Sequence, residues 1–249
     1  MSTDDLALLF ELFETTPRQG PGSAESTRRA LRMLPADLRI ERVLDLGCGT
    51  GASTLVLAEE TNAAITAVDI HPPFLATLRD LAAERGVADR ITTVAADMAA
   101  TPFLGTGFDL VWAEASAYSI GFENALERWR SLLRPGGCLV VTEMVWFTAE
   151  PSDRAKAFLT TEYPDVQDET TRIDQARARG YDLLGSFRLS SDDWRAYYAG
   201  LDAPLREATA RHGALEIYED IRTEMATYEA CGDDYGYLCM VLRSTSGSQ

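Results

Sequence analysis

Three aspartates and a glycine loop supply the chemistry that is easiest to see in this chain. The stretch "VLDLGCGTGASTL", residues 43–55, passes from an apolar run through a loop with glycine at 47, 49 and 51 into a helix-like segment. Asp45 then lies near the C-terminal end of a strand, where open parallel sheets place their ligands. The glycines permit a tight turn and a close approach of ligand to backbone, and the following helix offers free N–H groups. Taken alone the loop is ambiguous. Gly47, Gly49 and Ala52 also satisfy the dinucleotide pattern G-x-G-x-x-(G/A), and a turn that merely packs a helix on a sheet needs glycine too. Asp69 closes the next strand, "ITAVDI", where a carboxylate can accept both hydroxyls of a ribose. Asp97, in "VAADM", stands where a carboxylate can accept from an adenine amino group, with Met98 beside it for apolar contact. Asp45 beside the loop would repel a pyrophosphate and attract an ammonium group. The set suits an adenosine carrying an amino acid better than one carrying phosphates.

These residues need a frame that brings strand ends together. Short apolar strands are expected at residues 42–46, 64–69, 91–95, 108–113 and 138–143, separated by helices at 52–60, 73–85 and 123–133. That alternation implies a parallel sheet covered on both faces. Two further helices, 4–15 and 23–34, precede it, with the Pro- and Gly-punctuated loop "TPRQGPGS" between them. After Glu143 the pattern changes to two helices broken at Pro164, a strand at 181–189, a long helical stretch at 192–228 with a break near Gly213, and a last strand at 235–243. The organisation expected is one domain over residues 1–249. It comprises N-terminal helices and a covering loop (1–40), a ligand-binding core (41–145), a helical insertion or lid (146–180) and a C-terminal part of the sheet (181–243).

The net charge of −16 disfavours non-specific binding to nucleic acid or anionic membrane. No apolar run approaches the roughly 20 residues that span a bilayer, and the N-terminus lacks the pattern of a signal peptide. The expected location is the cytoplasm, with no nucleic-acid or membrane partner. Cys48, Cys138, Cys231 and Cys239 have no CxxC spacing, so buried free thiols are expected rather than a metal site or disulfides.

The order "VLDLGCGTG", "AVDI", "VAADM", "FDLVWAEAS" and "LLRPGGCLVVTE" resembles the class I S-adenosylmethionine-dependent methyltransferases over roughly residues 42–143. Outside that core, "PRQGPGS" and "TEMVWFTAEPS" are similar to a bacterial subgroup of small-molecule methyltransferases. The resemblance implies an α/β, Rossmann-like class I methyltransferase fold. Its sheet has seven mostly parallel strands in the order 3-2-1-4-5-7-6, with helices on both faces and here a helical insertion after strand 5. It implies S-adenosylmethionine as cofactor and S-adenosylhomocysteine as product. By position, Gly47, Cys48, Gly49 and the neighbouring Gly51 would lie against the methionine part, with Asp45 near its amino group. Asp69 would bind the ribose, Ile70 would cover the adenine, and Asp97 with Met98 would frame its edge. Glu114 would lie near the methionine amino group or the acceptor, and the loop with Arg18, Gln19 and Gly20 would fold over the carboxylate end.

A sulfonium methyl group is already activated, so the main task is to place a nucleophile in line with it. A general base is needed only for an acceptor that is protonated at working pH. Glu114 and Glu143, at the ends of adjacent strands, and Tyr118 are the candidates for catalysis. Tyr118, Trp146 and Phe147 are the candidates for an acceptor pocket, covered by the insertion; a dimerisation surface is the alternative use of that segment. The expected activity is methyl transfer to an O, N, S or C atom of a small molecule. The alternatives are a methyltransferase of a protein or RNA partner and a non-methylating protein that binds the same cofactor.

Overall fold

Runs of β-branched residues and leucine make the central strands, and alternate side chains along them face opposite ways. The computed structural model describes residues 3–100 and 105–245. Its first strands are β1 (Arg42–Leu46), β2 (Ala64–Asp69), β3 (Ile91–Ala95), β4 (Phe108–Ala113) and β5 (Leu133–Trp146). Then come β6 (Gln167–Asp168), β7 (Tyr181–Arg188) and β8 (Tyr235–Ser244). The sheet runs β3-β2-β1-β4-β5-β8-β7, with β6 pairing β5 off this path. β8 is antiparallel to both its neighbours, β5 and β7. Without the two-residue β6 this is the expected 3-2-1-4-5-7-6 order; the insertion adds an eighth strand.

The bounds of β1 to β4 are those expected, whereas β5 is longer at both ends. At its start, Leu133 sits opposite Phe108 and the register then shifts. A Cβ on Gly137 would stand 3.0 Å from the Phe108 carbonyl oxygen, so this close approach of backbones favours glycine. At its end, pairing with β8 carries the strand to Trp146, opposite Tyr235.

The helices are α1 (Thr3–Glu14), α2 (Ala24–Arg32), α3 (Ala52–Glu60), α4 (Pro72–Glu84), α5 (Phe122–Arg130), α6 (Asp153–Glu162), α7 (Glu169–Ala178), α8 (Ser191–His212) and α9 (Glu216–Cys231). Local chemistry sets their ends. Ser23 and Ser190 form capping boxes with Ser26 and Asp193, and Ser152 and Asp168 cap α6 and α7. Gly213, at φ 85°, ends α8. No helix among the described residues is long and apolar enough to cross a membrane.

Strand alternation sorts the core into two layers. Val43, Leu110, Trp112, Val140 and Val241 face one side, with Leu55 and Leu57 of α3 and Leu75 and Leu78 of α4. Leu44, Val111, Val141 and Met240 face the other, with Phe122, Leu126 and Trp129 of α5. Each such side chain, fully buried, contributes roughly 1.5–3 kcal/mol. All four cysteines are free and buried.

The insertion is tied into the second layer by charge. Arg172 of α7, 1% exposed, reaches Glu143 of β5 at 3.5 Å and Asp165 at 3.0 Å, and its guanidinium lies 5.1 Å from the Phe122 ring. Removing one member of a buried pair strands the other charge, at a cost of about 3–5 kcal/mol. Arg172→Met is therefore expected to lower stability by that order in urea unfolding. Arg172→Met combined with Glu143→Met should regain most of the loss; a double variant no more stable than the single would contradict this reading of the pair.

Candidate active site

The glycine loop is a left-handed staircase. Gly47, Gly49 and Gly51 have φ of 71°, 54° and 91°, conformations that side-chain-bearing residues rarely adopt. The Gly47 and Cys48 N–H groups both donate to the Val68 carbonyl, at 2.9 and 3.0 Å, which fastens the loop to the end of β2. Asp69 fastens it again. Its Oδ2 accepts from the Gly49 N–H and its Oδ1 from the His71 N–H, each at 2.9 Å. Burial pushes the Asp69 carboxyl up, against those two backbone donors. Next to it Ile70 exposes 61% of its surface, an apolar ledge at the end of β2. Asp97 is exposed and accepts from the Ala99 N–H at 2.8 Å. Met98 packs at the loop, 3.4 Å from where a Cβ on Gly47 would stand.

Asp45 is 1% exposed and accepts from Thr54 Oγ1 at 2.5 Å. Burial pushes its carboxyl up to about 7, opposed by Thr54's hydrogen bond. Glu114, just past β4, accepts from Trp112 Nε1 and Thr27 Oγ1, each at 2.8 Å, and pairs with Arg18. The adjoining Ala115 is the only non-glycine residue with positive φ (49°) among those described. Its N–H donates to Thr142 Oγ1 at 2.7 Å, which helps hold this strained joint.

The N-terminal loop closes over these groups. Gln19 Oε1 accepts from the Thr50 N–H at 3.0 Å, and Gly20 leaves no room for a side chain, since a Cβ there would stand 2.6 Å from Ala115 Cβ. Arg18, Gln19, Asp45, Gly47, Cys48, Gly49 and Glu114 thus line one polar cleft of about 60 Å³.

A second cavity, of about 450 Å³, lies against the first. Gln19, Gly20, Pro21 and Ala115 line both, so they form a common wall. Phe13 of α1, Tyr118 of the turn after β4, and Phe158, Glu162 and Tyr163 from α6 and its C-terminus face the larger cavity. So do Trp194 and Tyr197 of α8, Glu224 of α9 and Tyr237 of β8. The rings are mutually packed: Tyr118 meets Tyr163 edge-on at 5.5 Å, and Trp194 stacks on Tyr237 at 5.4 Å. Glu224 accepts from the Tyr198 hydroxyl at 3.0 Å. Burial pushes its carboxyl up to about 7, with Tyr198 opposing and Glu162 adding to the rise.

Tyr118, the one expected acceptor-site residue in this cavity, is half exposed; burial first, then Glu224 and Glu143, push its phenol up. The structure places the other three, Glu143, Trp146 and Phe147, outside this cavity. Glu143 has the same parity as Val141 and Val145, so it faces the α5 and α7 layer, away from the cavity, and is spent on Arg172. Trp146 and Phe147 lie beyond, in a separate cleft with Lys156, Val166 and Thr170. Trp146 packs edge-on to Tyr235 at 6.4 Å, and Arg188 covers Phe147 at 4.2 Å. They are displaced because β5 runs three residues further than expected. Glu224, Tyr163, Tyr197 and Tyr237 come instead from elements remote in sequence, though Tyr197 belongs to the aromatic-rich run "WRAYY" that could have flagged α8.

Residues 43–137 match the family model described as Methyltransferase domain. Trans-aconitate 2-methyltransferase of Paracidovorax citrulli is 35% identical over 165 residues, covering 63% of this chain and 60% of that protein. Sterol 24-C-methyltransferase ERG6B of Gibberella zeae is 27% identical over 187 residues, covering 71% of this chain and 49% of that protein. A methyltransferase structure from Geobacter sulfurreducens with S-adenosyl-L-homocysteine superimposes with a TM-score of 0.77 at 23% identity, covering 95% of this chain and 97% of that one. The chain is similar to methyltransferases over residues 43–137, and its fold is that of the S-adenosylmethionine-dependent methyltransferase structures. It spans about half the length of the first curated relatives it matches.

The residues present fit that family's cofactor. In the polar cleft, Arg18 is a cation for a carboxylate, Glu114 and Asp45 are anions for an ammonium, and the staircase of glycines leaves the backbone open to close approach. Ile70 and Met98 offer the apolar surfaces a purine requires, and Asp69 keeps acceptor capacity for ribose hydroxyls.

The buried carboxyls fix a pH dependence. A folded-state pKa raised above its unfolded value means that the native chain holds protons the unfolded chain releases, so stability falls as pH rises through that window. For Asp45 and Glu224 the window runs from about 4 in the unfolded chain to about 7 in the folded one. The urea midpoint is expected to be lower at pH 8 than at pH 5.5, and Asp45→Asn with Glu224→Gln should reduce the slope, leaving the share of Glu143 and Asp69, which burial also raises. A midpoint that rises with pH across this window would contradict the assignment.

Proposed function

We propose that the chain transfers a methyl group from S-adenosylmethionine to a small molecule held in the aromatic cavity. The observation that carries this reading is the common wall, with amino-acid-binding chemistry on one side and an aromatic chamber on the other. When bound, the cofactor supplies an electrophilic methyl group on sulfonium sulfur. Arg18 and Glu114 hold its amino-acid end, Asp69 the ribose, and Ile70, Asp97 and Met98 the adenine. Gln19 and Ala115 border the passage through which the acceptor meets the methyl group, and proximity of this kind supplies on the order of 7–11 kcal/mol.

A cavity of about 450 Å³ suits a small molecule, and the net charge of −16 weighs against a nucleic-acid acceptor. The two curated relatives, named for a sterol and for trans-aconitate, support the same class of acceptor. The insertion contributes Phe158, Glu162 and Tyr163 to the chamber. Its Leu159 and Ala176 are buried in the two core layers, so the segment packs on the rest of the chain.

Calorimetry with S-adenosylhomocysteine and with NAD tests the reading. Binding of the first and not the second is expected, and Asp69→Ala should weaken S-adenosylhomocysteine about tenfold or more through lost hydrogen bonds to a charged acceptor. Binding of NAD with no response to S-adenosylhomocysteine would overturn the proposal; an unchanged dissociation constant in the folded variant would remove Asp69 from the ribose site.

A further inference from the structure

From the charge and ring chemistry of the larger cavity, we infer that the methyl acceptor is an amine that enters protonated and gives its proton to Glu224. This rests on the methyltransferase reading above and names the substrate class of the same site.

The lining of the cavity is one-signed. Among the described residues it contains five carboxylates, Asp5, Glu162, Glu216, Asp220 and Glu224, and no lysine, arginine or histidine. Glu162, Glu216 and Asp220 are exposed and stand at the mouth, where an anionic acceptor is repelled and a cation is drawn in. Inside, much of the wall is aromatic. The seven aromatic side chains of the lining favour an ammonium group over a carboxylate.

Glu224 is the group placed to take the proton. The phenols around it cannot serve, since burial pushes those of Tyr118, Tyr163, Tyr197 and Tyr237 further above neutrality. Glu224 is instead an acceptor held by Tyr198 and raised toward neutrality by burial and Glu162. A base in that range matches proton removal at physiological pH. The ammonium gives one proton to Glu224, and the freed nitrogen lone pair forms the new N–C bond. The C–S electron pair stays with sulfur, leaving an N-methylammonium product and a neutral thioether; Glu224 then returns its proton to solvent.

The test is a binding comparison that needs no turnover. Full-length protein loaded with S-adenosylhomocysteine is titrated at pH 8 with 2-phenylethylammonium, 2-phenylethanol and 3-phenylpropionate, probes of similar shape and different charge. The cation is expected to bind about tenfold more tightly than the anion, with the alcohol between them. Glu224→Gln, which keeps shape and the Tyr198 contact, should narrow the gap between cation and anion. Equal affinities in the parent protein, a preference for the anion, or no binding of the cation would overturn the inference while S-adenosylhomocysteine binding leaves the methyltransferase reading standing. A cation preference with no S-adenosylhomocysteine binding would overturn that reading, and the transfer step with it.

Discussion

Glu114 must be satisfied, and the site is arranged around that need. A carboxylate at the end of a central strand, only partly exposed, is costly unless donors surround it. Its donors come from three places: Trp112 inside β4, Thr27 on α2 and Arg18 on the N-terminal loop. Meeting Glu114's demand thereby draws the N-terminal segment onto the sheet. Gln19 then locks the same loop to Thr50 at the glycine staircase. The wall shared by the two cavities follows from these contacts, since Gln19, Gly20 and Pro21 are held against Ala115.

The site concentrates buried negative charge in a chain that is already strongly acidic. Asp45 and Glu224 are both pushed up to about 7 by burial, so each costs stability when ionised. Such groups are retained where function uses them. Asp45 and Glu114 face a cleft that suits an ammonium, and Glu224 faces a chamber whose rings favour cations. In both places a bound positive charge would offset the cost that the empty protein bears.

Much of the sheet was legible in the sequence because its signals are local. Four parallel strands are short apolar runs bounded by turns, and their ends follow from composition. The glycine loop was legible for the same reason: three alternate residues need positive φ. Legibility ended where long-range pairing takes over. Nothing in "VVTEMVWF" says that β8 will extend β5 to Trp146, or that Glu143 has the parity of the wrong face. The larger cavity was least legible of all. Its walls come from α1, α6, α8, α9 and β8, and each residue there reads locally as ordinary helix or strand; only their convergence gives Glu224 and Tyr163 a role.

The central claim is that the polar cleft and the aromatic chamber are two halves of one transfer site. A crystal structure with S-adenosylhomocysteine tests it most directly. The account predicts the homocysteine carboxylate against Arg18, the amino group beside Glu114 and Asp45, and the sulfur facing the chamber lined by Tyr118 and Glu224. A ligand seated elsewhere, or a sulfur walled off from that chamber by Gln19 and Ala115, would contradict it.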